Sequence, residues 1–188
     1  LINAADYHHF EQNILPESYR TYNEKYWDKQ TLSPSCLLFY VGINRQLPNV
    51  EHHNLFFDAD FDRHADAIYK DPQWPEDPLF YMCVPSKTDA DVAPEGMENI
   101  FLLVPIATDL EYDEALVEKY FNLLAGRIKN KTGVDIKEHL VVKRSYSVRD
   151  FKTDYHSYKG NAYGLANTLM QTAIFKPRMR SKKIKNLW

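Results

Sequence analysis

The sequence runs to 188 residues, room for one domain or a domain and a half. With 44% hydrophobic and 26% charged residues it can bury a sizeable core, which excludes wholesale disorder. The net charge of −3 is too acidic for a dedicated nucleic-acid coat protein, so no nucleic-acid partner is expected.

In chain order, Ile14 to Trp27 reads as a polar, aromatic-studded helix or lid, closed by Ser33-Pro34-Ser35. Four apolar runs follow: Cys36–Val41, Leu55–Phe57, Leu79–Val84 and Ile100–Val104. Each has strand length and is bounded by Pro, Gly, Asp or Asn. None approaches the roughly 18 consecutive apolar residues of a membrane-spanning helix. From Asp113 to Lys131, Leu116, Val117, Tyr120, Phe121, Leu124 and Ile128 recur on one helical face, with Gly133 placed to stop the helix. Leu140–Val142 predicts a further strand, a polar stretch leads to Gly160, and Gly164–Phe175 has helical character up to Pro177. Several strands before one long helix, with crossovers too short for repeated βαβ units, predict an α+β domain. Its sheet is expected to be largely antiparallel or mixed, with helices packed on one side.

No residue pattern carries side-chain catalysis. Asp58-Ala-Asp60-Phe-Asp62 imitates a calcium loop, but Arg63 stands where that loop needs glycine and Tyr69 where it needs glutamate. A solvated strand end and turn accounts for those carboxylates. His8-His9 and His52-His53 are adjacent pairs whose side chains are expected to diverge, so neither pair closes on an ion by itself, and no metal site is expected. Cys36 and Cys83 form no CxxC pair and lie in apolar runs, which fits buried thiols in a reducing, cytosolic compartment rather than nucleophiles. No GxGxxG occurs among the six glycines, although Gly160-Asn161-Ala162-Tyr163-Gly164 is a small-residue loop that lets a backbone approach a ligand. Six basic residues and no acidic one lie between Lys176 and Trp188, a charge run suited to phosphates or anionic lipid.

Read as a string of segments, the chain resembles the bacterial phytoene desaturase family of carotenoid desaturases, within the flavin amine-oxidase-like group. The resemblance rests on Ser33 through Gly42, His52–Phe57, Pro78–Ser86, Ala93–Gly96 and Val104-Pro105 in order. It continues through Asp150-Phe151, Gly160–Leu165, Gln171, Phe175–Pro177 and Asn186-Leu187. Val148 stands where many members have proline, and Lys176 where arginine is usual.

The resemblance implies a substrate domain and C-terminal piece of an FAD-dependent oxidoreductase that introduces double bonds into a long polyene by hydride transfer to flavin. The main FAD-binding motifs would lie outside the chain, and the piece alone would be inactive. It divides the chain into a connecting segment with a lid-like helix (1–32), a substrate-binding α+β domain (33–147) and a segment returning toward an FAD-binding domain (148–188). Phe39, Tyr40, Tyr81 and Tyr163 are the implied substrate-lining residues, and Gly160, Asn161, Ala162, Tyr163 and Gly164 the segment nearest the flavin; the catalytic residue is left unknown. Implied partners are a long apolar carotenoid and quinone or oxygen as electron acceptor, with peripheral contact at the inner face of the membrane. The alternatives are an apolar-lipid-binding module without redox activity, and a carotenoid isomerase or retinol saturase of the same superfamily.

Overall fold

The computed structural model describes all residues from Leu1 to Trp188. Five strands form one sheet: β1 (Ser35–Ile43), β2 (His53–Phe56), β3 (Phe80–Cys83), β4 (Glu98–Ile106) and β5 (Leu140–Tyr146). Their order is β2-β3-β4-β1-β5 and every neighbouring pair is antiparallel. The fold is therefore α+β with an antiparallel sheet. The two longest strands, β1 and β4, pair along their whole length at its centre.

Strand alternation sorts the side chains into two faces. In β4, Ile100, Leu102, Val104 and Ile106 are buried, while Phe101, Leu103 and Pro105 between them are only half-buried. In β1 the buried parity is Leu37, Phe39, Val41 and Ile43. One long helix, Glu114–Thr132, covers this face with Val117, Tyr120, Phe121, Leu124, Ala125 and Ile128. Phe121 meets Phe39 with ring centroids 5.3 Å apart. Burying each such side chain stabilises the fold by about 1.5–3 kcal/mol, so this layer is the main source of cohesion. The helix begins where Asp113 accepts a hydrogen bond from the Ala115 N–H, and ends at Gly133, whose φ of 74° is the left-handed conformation that glycine adopts without strain.

Two expected helices are absent. The region Ile14–Trp27 breaks into a π turn (Phe10–Ile14), a 3-10 turn (Glu17–Tyr19) and one helical turn (Glu24–Trp27). Pro16 forces Leu15 into an extended conformation, which interrupts any continuous helix. Gly164–Phe175 holds only two 3-10 turns, because Thr168 and Thr172 are extended and Ala173 is left-handed. Two helices are present where turns or polar coil were expected. Asp60 caps Phe61–Tyr69 by accepting from the Arg63 N–H, and Asp58 pairs with the Arg127 guanidinium, so the calcium-like carboxylates are a helix cap and an ion-pair partner. Ser147 and Asp150 close a reciprocal capping box at the start of Val148–Asp154. No helix is long and apolar enough to cross a membrane.

Candidate substrate-binding face

The helix covers one face of the sheet; the other face is apolar and largely open. Register places its side chains in two rows across the strands. One row runs Leu55, Tyr81, Leu103, Leu38, Tyr146; the next runs His53, Cys83, Phe101, Tyr40, Arg144. Tyr40 and Phe101 are direct cross-strand partners with ring centroids 5.4 Å apart, and Phe101 lies 6.4 Å from Tyr81. Three rings on three adjacent strands thus make a continuous aromatic patch.

At the β1–β5 end this face becomes the floor of a cavity of about 610 Å³. Leu38, Tyr40 and Tyr146 form the floor, Phe151 and Tyr155 one wall, and Ala162 and Gly164 another. Tyr146 stands edge-on to Phe151 at 5.0 Å, and its hydroxyl donates to the Asp154 carboxylate. Burial and that neighbouring carboxylate push the Tyr146 phenol well above its ordinary range, so it stays neutral. A cavity of this size with a mostly apolar lining suits an organic ligand.

The expected site residues do not all meet there. Phe39 is fully buried and points to the opposite face, into the helix. Consecutive residues of a strand face opposite ways, so Phe39 and Tyr40 cannot both line one surface, and Phe39 is a core residue. Tyr40 lines the cavity, and Tyr81 lies on the same face two strands away, where its hydroxyl bonds His53 Nδ1 at 2.6 Å. A hydrogen bond to Cys83 together with burial pushes the Tyr81 phenol up to about 12. Tyr163 is off the sheet and mostly exposed; its hydroxyl sits 4.0 Å from Cys36 Sγ and it borders a smaller cleft with Trp27 and Tyr158. Burial raises the Cys36 thiol to about 11, which leaves it a poor nucleophile.

The Gly160–Gly164 segment folds back over β1. Ser35 Oγ donates to the Gly160 carbonyl at 2.6 Å, and the Ala162 N–H donates to the Pro34 carbonyl. Gly160 has φ 65°, and a Cβ there would meet Val148 Cγ1 at 2.5 Å. Its missing side chain accommodates Val148. Asn161 is buried and holds the loop, donating to the Tyr158 carbonyl and accepting from the Gly164 N–H. Of the five residues, Asn161, Ala162 and Gly164 border the cavity. Phe101, Leu103, Leu38, Tyr146 and Phe151 were not anticipated. Period-two parity from Tyr40 and Tyr81 would have selected Leu38 within the same strand, but the β4 and β5 residues depend on pairing.

No family model matches the chain. It is 42% identical over 98% of its length to a carotenoid 3,4-desaturase of Haloarcula japonica. It is 31% identical over 85% of its length to a 4,4'-diapolycopene oxygenase of a Methylomonas species, and 30% identical over 98% to a 4,4'-diapophytoene desaturase of Staphylococcus haemolyticus. The chain spans 37%, 33% and 38% of these curated relatives, about a third of their length. Nearly every element of the sheet and its open face lies within the matched region, so over nearly its whole length the chain is similar to part of the carotenoid and phytoene desaturases.

Proposed function

We propose that this chain is the substrate-binding part of a carotenoid desaturase, and that the open face of its sheet carries the polyene. The observation that carries this reading is the match over 98% of the chain to a relative named carotenoid 3,4-desaturase. The aromatic patch of Tyr40, Phe101 and Tyr81 supports it from the structure. A hydrocarbon polyene offers no carbonyl or charge to grip, so recognition must come from shape, ring contacts and exclusion of water. This face has those properties.

FAD is the cofactor the resemblance implies, and this chain's residues do not fit its dinucleotide by themselves. Gly160, which a phosphate-cradling loop would leave open, is filled by Val148, and no glycine-rich turn leads into a helix. We therefore assign the grip on FAD, and the transfer of electrons to quinone or oxygen, to the counterpart of the two thirds of the relatives' length that this chain does not match. Within the chain, residues 33–147 bind substrate, and 148–188, together with Ala4–Tyr7, form the cavity wall and lead toward the flavin part. Exposed Leu169, Met170, Ile174 and Met179 beside Lys176, Arg178, Arg180, Lys182 and Lys183 supply a peripheral contact with an anionic bilayer, where the carotene resides.

The test uses the complete gene product with colourless carotenes in lipid vesicles. Flavin absorbance in the purified protein, together with a coloured product bearing added double bonds, is the expected result. Phe101→Ala should lower the yield at limiting substrate about tenfold, the cost of losing one ring's contacts with the polyene. A complete protein that holds no flavin, or that leaves every carotene unchanged, overturns the reading.

A further inference from the structure

At the β2–β3 side of the sheet, one nitrogen of His52, one of His53 and the Cys83 Sγ all lie within 4.8 Å of one another. The two imidazoles do not diverge: their ring centroids are 4.2 Å apart. His52 stands just outside β2, so strand alternation does not separate it from His53, and its carbonyl accepts from the Val84 N–H next to Cys83. Cys83 is the direct cross-strand partner of His53. By contrast His8 stacks on Tyr158 and His9 on His156, so that pair does separate.

We propose that His52, His53 and Cys83 form a binding site for a zinc-class divalent cation, with the fourth coordination position left to solvent. The donor set is the chemistry such an ion prefers, two imidazoles and a thiolate in a tetrahedral site. Donor atoms around one zinc ion are about 3.3–3.6 Å apart. The present spacing, within 4.8 Å, reaches that range by side-chain rotation on loading. The surroundings are also those of a metal site. Thr88 Oγ1 holds His52 Nδ1 at 2.6 Å and Tyr81 Oη holds His53 Nδ1 at 2.6 Å. Ligating histidines characteristically hold one ring nitrogen in this way, which fixes the ring and leaves the other nitrogen for the ion. On loading, both imidazoles bind neutral and the Cys83 thiol releases its proton to solvent, with no change of oxidation state.

The site lies at one end of the row that contains Phe101 and Tyr40. There a bound ion would pin the short edge strand β2 to β3. It is independent of the desaturase reading and is measured without any turnover.

The experiment adds Co²⁺ to the reduced, chelator-treated chain. One equivalent should give a thiolate-to-cobalt charge-transfer band, which Zn²⁺ displaces. Cys83→Ser should abolish the band, and His53→Ala should weaken binding at least tenfold. Tyr81→Phe should keep the band and lower affinity about 10–100-fold, as expected for a residue that orients a ligand. Cys36 is buried and cannot supply the signal. Absence of a thiolate band at one equivalent, or its persistence in Cys83→Ser, overturns the proposal whatever the variants' stability.

Discussion

His64 shows how one side chain can set a pH response. It is buried, its Nε2 donates to the Pro105 carbonyl at 2.8 Å, and its Nδ1 accepts from the Leu79 N–H at 2.9 Å. That geometry requires the neutral ring, and burial lowers its pKa below the ordinary 6.5 despite the opposing pull of the Pro105 carbonyl. A basic group whose folded pKa is depressed stabilises the fold above its unfolded pKa. That stability is lost as pH falls through the folded value. Urea unfolding followed from about pH 8 to pH 5 should therefore show a fall in midpoint that is smaller in His64→Gln, whose amide can donate and accept at the same two partners. Equal pH slopes in both proteins would refute this account.

Among elements, the junction between the helix Val148–Asp154 and the returning loop is the tightest. Gly160 combines a positive φ with contact distances under 3 Å from any added Cβ to the Val148 side chain and carbonyl. Gly160→Ala should therefore destabilise the chain by about 1–3 kcal/mol, as overpacking typically does, measured by denaturant unfolding. The neighbouring Gly164 meets nothing within 4 Å, so the two glycines of the same loop have different tasks. Gly160 admits the helix, whereas Gly164 borders the cavity. In the sequence both were candidates for close approach to a ligand, and only the packing of Val148 separates them. The long helix was readable almost to the residue, because Asp113, the apolar stripe and Gly133 are all local signals. The helix at Val148 was not, because its seven residues are too few for periodicity to emerge.

Over the whole molecule, charge and exposed apolar surface are segregated toward the C-terminal segment. Leu169, Ile174 and Met179 are each more than 80% exposed; the first two lie just before, and Met179 within, a basic run in a chain that is otherwise acidic. If this surface meets the bilayer, the chain should sediment with anionic vesicles, and salt should weaken the association. Each basic residue near the surface contributes about 1 kcal/mol. Replacing Lys182, Lys183 and Lys185 by Glu should lower vesicle affinity about a hundredfold or more. Unchanged sedimentation would assign the exposed side chains to another role.

What the sequence determined alone is local. The apolar runs marked all five strands, the helical stripe and its caps marked the long helix, and the order of short segments marked the resemblance to the family. Only the tertiary structure decided the pairing β2-β3-β4-β1-β5, and with it the site. Tyr40, Tyr81 and Phe101 are up to 61 residues apart and meet because antiparallel register aligns their parity, while the same parity turns Phe39 into the core. His53 and Cys83 meet for the same reason. Periodicity is a property of consecutive residues and survives in a one-dimensional string. The choice of neighbouring strand is a contest between distant segments for a common apolar core, and only the folded chain records its outcome.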